Sequence, residues 1–547
     1  MLQSHTGLRG YAMKRKQNLT FFLKIGAFIT PFFIGVYGLR KLQEGNILDC
    51  AYKMVQLYMM EYNVNSENLN WQVELARWLA PAMTVAVIFT VLFSLVENIR
   101  LYLKLRIGNM IAVHGDSANI DLVLKKIGSR AVHSDKKMVF MAKNHLLMFE
   151  DDFDMYHFID DQGTKLLHNE DKQITICSEK LSRGNYENSQ LIICNIVENC
   201  ARCYWNKYPL KNAKEKILII GFENYGQSIL TQGILQNVVD VASNVEYHVV
   251  GDYKKYLSEH YKIHKALHVN IINSDGEKTE YKPYEEVCRN HDEIYFYDLK
   301  WYEVLQRVEK FDRIILVEDI DAENLDLLNE LKTYFINEQC YIKFSDKKIV
   351  EALWNLEKDG IIPFGVDDEL YDPEIILQEK LFEDARKIHG IYYAFYSCSG
   401  KNAKGESCNN KKNGKICDVK KCYNCPAMHK DWRKQNSFIR YSNVAQADHI
   451  PEKLRLLFGQ IPDRGKEGIG EEAVEIFRKL PEKRKWELCE IEHIRWCRYH
   501  FMNNWDYAPE RNNSQRRHNL LVPFDKLDKK NQEKDMDAYL VLEEIMK

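Results

Sequence analysis

The residues best suited to chemistry fall in three stretches of this 547-residue chain. Near the C-terminus, Trp505, Tyr507, Arg511, Arg516, Arg517 and His518 stand close together. Aromatic faces beside guanidinium groups suit a base held by stacking and a phosphate held by charge-assisted hydrogen bonds. The same aromatics would equally serve as the core of a small domain, with the arginines solvated. Upstream, KILIIGFENYGQSIL puts Gly221 and Gly226 in a turn between a strand and a helix, and EYHVVGDY ends the next strand at Asp252. Glycine lets backbone amides approach a phosphate at a helix N-terminus, and an acid can then take ribose hydroxyls. The spacing is G-x-x-x-x-G with Glu223 where a middle glycine would stand, so a tight turn without ligand explains it as well.

The third stretch, CSGKNAKGESCNNKKNGKICDVKKCYNCPAMHKDWRK, contains Cys398, Cys408, Cys417, Cys422, Cys425 and His429. The two-residue gap between Cys422 and Cys425 is that of a zinc clamp, with His429 and Cys417 as further ligand candidates. The other spacings are irregular, and an insertion of free thiols accounts for them too. From Lys401 to Lys434 the stretch sets ten Lys and Arg against three Asp and Glu. Such a run attracts phosphates or is a solvated face. The 14 cysteines form no evenly spaced framework, so reduced thiols or metal ligands are expected rather than disulfides. Cys194, Cys200 and Cys203 are expected on one helix, packed in a core. No nucleophile–base arrangement, paired carboxylates or phosphate-transfer motif stands out, so binding is expected rather than catalysis.

These stretches must be positioned relative to a membrane. LAPAMTVAVIFTVLFSLV, residues 79–96, carries no charge and is followed by Glu97, Arg100, Lys104 and Arg106. Its length nearly matches a hydrocarbon core, and a spanning helix is expected over 79–99. LTFFLKIGAFITPFFIGVYGL, residues 19–39, is a second apolar span, broken only by Lys24 and preceded by Arg9, Lys14, Arg15 and Lys16. A signal peptide also starts this way, but this core is long and lacks a small-residue cleavage site. The intervening 40–78 sets four basic residues against five acidic ones, so both termini are expected in the cytoplasm and this segment outside. Within it, NILDCAYKMVQLYMMEY has helical apolar spacing and suits an interfacial or re-entrant helix; no carbonyl filter of the TVGYG type follows.

From residue 107 the pattern becomes α/β. NMIAVHG, SRAVHS and HLLMFED read as strands and SANIDLVLKKIG as a helix, which predicts a parallel-sheet domain over 107–210 without a glycine fingerprint. KILII, EYHVVGDY, EIYFYDL, DRIILVED and QCYIKFSD predict a second over 211–350. Residues 351–480 read as helical around the cysteine-rich insertion, and 481–547 as a further, mostly helical domain.

The order KILIIGFENYG, HVVGDY, DRIILVEDIDAEN resembles the nucleotide-binding domains of potassium-transport regulators, of RCK and Trk type. Trp505, Tyr507, Pro509 and Arg511 in a W-x-Y-x-P-x-R turn, then Leu521, Val522, Pro523, Phe524 and Leu527, resemble the ryanodine-receptor-type (RyR) repeat. Together with NWQVELARWLAP and FIRYSNVAQADHIPEKL, the chain is similar to a group of prokaryotic membrane proteins ending in such a repeat. The resemblance implies a membrane α-helical hairpin, two Rossmann-like parallel-sheet domains and an RyR-like domain, in a multi-pass protein of the inner membrane. It further implies a homotetrameric ligand-gated channel or membrane effector answering a nucleotide or oligonucleotide messenger, made by a partner enzyme in antiphage defence. A non-conducting potassium-transporter subunit and a membrane-anchored NAD-dependent sensor or enzyme remain alternatives.

Overall fold

Asn46 begins a helix by a reciprocal cap: its side-chain oxygen accepts the amides of Leu48 and Asp49 at 2.8 and 2.9 Å, and Asp49 accepts the Asn46 amide at 3.2 Å. The resulting helix, Ile47–Tyr58, is the one anticipated from its apolar spacing. It belongs to a computed structural model that describes residues 26–42, 45–61, 69–133, 137–167, 172–179, 191–281, 287, 291–334, 338–393 and 426–546. Two compact units divide the chain, Met1–Gly108 and Asn109–Lys547.

In the first unit, residues 26–41 are helical and run antiparallel to the long helix Trp71–Ile107. An added Cβ on Gly38 would meet Val73 at 2.8 Å, and one on Gly35 would meet Ala76 at 2.9 Å. These two glycines therefore let the helix backbones approach, as small residues do between membrane helices. Leu39, Cys50, Met54, Leu57, Val73, Ala76 and Ala80 form the shared core. The long helix differs from the expected 79–99: it ends at Ile107, and it starts eight residues earlier, within the segment expected outside. Asn70 is the reason, since its side chain accepts the Val73 amide at 3.0 Å and nucleates the first turn. From Pro81 to Val96 the helix carries no charge, and all the large apolar side chains from Val87 to Leu103 except Leu101 are between 37% and 68% exposed. Residues 19–25 of the other expected span lie outside the described residues.

The second unit holds two large sheets, besides a two-stranded one that pairs Asp506–Tyr507 with Arg517–His518. β1 (Ile111–His114), β2 (Ala131–His133), β3 (Asn144–Met148), β4 (Gln173–Ser178) and β5 (Leu191–Asn195) form a parallel sheet in the order β2-β1-β3-β4-β5. β6 (Lys216–Ile220), β7 (Glu246–Val250), β8 (His268–Ile272), β9 (Lys278–Tyr281), β10 (Glu293–Tyr297), β11 (Arg313–Leu316), β12 (Gln339–Lys343) and β13 (Ile361–Phe364) form the other. Its order is β13-β12-β11-β6-β7-β10-β8-β9, with only β9 antiparallel. Runs such as KILII and RIIL are apolar on both faces because helices cover both, the usual condition of a parallel sheet. The sheet extends past the expected boundary at 350, since β13 lies in a region read as helical. At four residues β13 is too short to show a period, and Pro363 is tolerated because β13 is an edge strand.

The largest apolar cluster runs from Val113 through Trp205 and Tyr247 to Trp505 and Ile545, so the sheets and the C-terminal helices pack against each other. Buried ion pairs cross it. Arg498, on helix Glu482–Met502, donates to Asp292 at 2.6 Å with both side chains fully enclosed. Cys200 is buried and Cys203 half-buried on helix Ile196–Lys207, in the packing role expected of them.

Candidate functional site

Gly221 and Gly226 are required by packing. A Cβ on Gly226 would lie 2.1 Å from the Gly221 carbonyl oxygen, and one on Gly221 would lie 2.6 Å from the Glu318 amide nitrogen. At the start of the helix that follows, Asn224–Gln236, Asp319 accepts from the Tyr225 backbone amide at 3.2 Å and from the Asn224 side chain at 2.6 Å. A protein carboxylate thus stands where a phosphate would sit. Burial, with Glu323, Glu223 and Asp319 nearby, pushes the Glu318 carboxyl up to about 7. Asp252 is exposed and accepts the amide of Lys254 at 3.2 Å. The turn expected to hold a phosphate, at Gly221, Gly226 and Asp252, thus has the carboxyl groups of Glu223, Glu318, Asp319 and Glu323 close to one another beside it.

The raised Glu318 pKa has a measurable consequence. Between its unfolded value of 4.5 and about 7, the folded chain holds more proton than the unfolded chain, so stability falls as pH rises. Glu318→Gln should therefore unfold at higher urea than the parent at pH 8, with the gap closing toward pH 5. An equal gap at both pH values contradicts this origin.

The C-terminal stretch meets the second sheet across a cleft of about 660 Å³. One wall is helix Asn224–Gln236, which presents Asn224, Gln227, Ser228 and Thr231 at helical i, i+3, i+4, i+7 spacing. Another is helix Ser437–Asp448, capped where Asn436 accepts the Ile439 amide at 2.9 Å, which contributes Phe438 and Tyr441. The third comprises Trp505, Arg511 and Arg516. At its base Asp448 accepts from Arg202 at 2.8 and 2.9 Å and from Gln232 at 2.8 Å. Trp505 is buried and stacks on Phe438, with centroids 4.9 Å apart. Arg511 donates from Nε to Asn513 at 2.8 Å, and Arg516 to the Asn503 carbonyl at 3.0 Å. A second cavity, about 550 Å³, shares Phe438, Ile439 and Arg511 with the cleft.

The expected residues divide accordingly. Trp505, Arg511 and Arg516 line the cleft. Arg517 is engaged at 2.9 Å with Asp506. Burial works to raise the Asp506 carboxyl, but the ammonium groups of Lys262 and Lys265 outweigh it and hold it well below the carboxylate range. His518 lines only the second cavity; burial, aided by the charges of Arg511 and Lys534, lowers its pKa to about 4, so it carries no charge for a phosphate. Tyr507 is 47% exposed and lines neither space. Cys417, Cys422 and Cys425 lie outside the described residues, and His429 is exposed on helix Pro426–Lys434. Among the described residues no three potential metal ligands cluster. The polar stripe Asn224, Gln227, Ser228, Thr231 carries a sequence signal of its own, N-x-x-Q-S-x-x-T on one face of a crossover helix.

The family model of the RyR domain matches residues 472–546, beginning nine residues before the expected boundary at 481. No curated protein matches the chain, and no solved structure does.

Proposed function

We propose that this chain, with parallel α/β sheets and an RyR-type segment at 472–546, is an oligomeric membrane effector whose cleft binds a nucleotide-type ligand. One observation carries the reading: the cleft brings two arginines, stacked aromatics and a stripe of amide and hydroxyl groups into one space. Rings suit a base, amides its edge, and guanidinium forks a phosphate. The ligand is assigned here and not to the glycine turn, whose helix end is taken by Asp319.

The uncovered apolar length of Trp71–Ile107 supports membrane insertion. In water each such side chain forgoes about 1.5–3 kcal/mol, which lipid or neighbouring copies would recover. Two helices per chain cannot enclose a pore, so conduction needs several copies, a tetramer by analogy with RCK-gated channels. Only residues 108–110 separate the end of this helix from β1, a link too short to absorb much motion. Ligand would bias two arrangements of the cytosolic parts through its different affinity for each. The setting implied by the resemblance is antiphage defence.

Arg511→Ala should weaken nucleotide binding by about 1.5–3 kcal/mol, roughly ten- to a hundredfold, and Ser228→Trp should abolish it. Both are checked by calorimetry on purified protein and by ligand-dependent ion flux in liposomes. Parent-like binding in both variants sinks the cleft assignment. Flux from the chain alone also separates a channel from a non-conducting transporter subunit. A reporter fused after Lys547 should be active only as a cytoplasmic fusion; activity outside the cytoplasm overturns the topology.

A further inference from the structure

We infer that the ligand is a dinucleotide, with one base in the cleft, the other in the second cavity, and its bridging phosphate at Arg511. The inference rests on the nucleotide reading of the cleft and goes further by giving the ligand two bases. Its starting point is the wall that the two spaces share: Phe438, Ile439 and Arg511 line both. At about 660 and 550 Å³, each lies in the range of a small-molecule site.

The second cavity is built for a ring and not for an anion. Tyr392, Trp496 and His500 supply flat faces, and Asn443 and Gln446 supply amides. Its acids, Asp431, Glu492, Asp535 and Asp537, outnumber Arg495, Arg511 and Lys534. His500 and His518 add no charge to oppose them, since burial lowers His500 to about 3 and His518 to about 4. His493, whose pKa is raised, faces Asp535 at 3.4 Å. A second phosphate deep in this space would meet four carboxylates with Arg495 and His493 already engaged by Glu492 and Asp535, whereas a neutral base carries no charge to be repelled.

Arg495 is buried and donates from Nε and Nη2 to Glu492 at 3.0 and 2.7 Å, while its Nη1 has no hydrogen-bond partner among the described residues. A ring nitrogen or carbonyl of a base is an acceptor of the kind that satisfies such a donor. At the shared wall, Arg511 spends Nε on Asn513, and its terminal nitrogens have no partner among the described residues. That leaves its fork for one phosphate, the one joining the two bases.

The test uses full-length protein and calorimetry with the 5′-monophosphates of the four common nucleosides, and with linear and cyclic dinucleotides of the same bases. At least one dinucleotide should bind at least about tenfold more tightly than its mononucleotide, through the gain from linking two sites. Ser442→Trp, which fills the second cavity alone, should remove that advantage and leave mononucleotide binding unchanged. Ser442→Tyr replaces it if the larger side chain lowers the thermal midpoint. Ser228→Trp should abolish both. If mononucleotides bind, are lost in Ser228→Trp, and no dinucleotide does better, the inference is overturned and the cleft reading stands. If no probe binds, or Ser228→Trp changes nothing, the cleft reading falls and the inference with it.

Discussion

Asp448→Ala should lower the urea midpoint of the second unit by on the order of 1–3 M, followed through tryptophan fluorescence. Asp448 is buried beneath the cleft and takes both Nε and Nη2 of Arg202, a side chain only 1% exposed. Removing the carboxylate strands a guanidinium in the core, and breaking such a pair from one side costs about 3–5 kcal/mol. Arg202 keeps its bond to the Leu381 carbonyl and its place over the Phe382 ring, neither of which neutralises charge. Gln232 loses its partner as well. The damage should reach the ligand site, because Asp448 and Gln232 both line the cleft while joining three helices below it. Asp448→Asn, which keeps the shape and loses the charge, should be destabilised too. A midpoint within about 0.5 M of the parent for Asp448→Ala would show that the pair contributes little.

Gly226→Ala is the second large effect expected. The new methyl would lie 2.1 Å from the Gly221 carbonyl, a backbone atom that moves only if the β6 turn moves. Overpacking typically costs about 1–3 kcal/mol, and a backbone neighbour puts this site at about 3 kcal/mol or above. A bulkier residue there would unfold the turn and could not report on ligand. Gly163→Ala, on helix Asp152–Leu167, is the control: its nearest neighbour would be Leu167 at 4.0 Å. There the helix propensity of alanine should leave stability unchanged or raise it by about 0.5–1 kcal/mol. Equal destabilisation of both variants in thermal melts would argue against the packing explanation for Gly226.

Much of the local structure was legible because it depends on partners a few residues away. KILII, EYHVV and RIIL are strands whose side chains alone demand burial. Asn46, Asn70 and Asn436 start helices by accepting amides two or three residues on. Apolarity from Leu79 to Val96 marked where a bilayer would suit the chain, but helix limits follow caps, so the start at Trp71 was hidden in Asn70.

What only the tertiary structure decided concerns partners far apart in the chain. Parallel crossovers do not encode strand order, so nothing in EIYFY required β10 to enter between β7 and β8. Asp319 accepts an amide at a helix start 94 residues earlier, beside the anticipated phosphate turn. Trp505 and Tyr507 point to opposite environments, one stacked on Phe438 and one in solvent, through packing that their shared motif cannot express. The sequence by itself determined which residues could stack, pair and cap within a turn or a strand. Which carboxylate meets which cation, and therefore which arginines stay available to a ligand, was set by burial between segments as distant as Arg202 and Asp448.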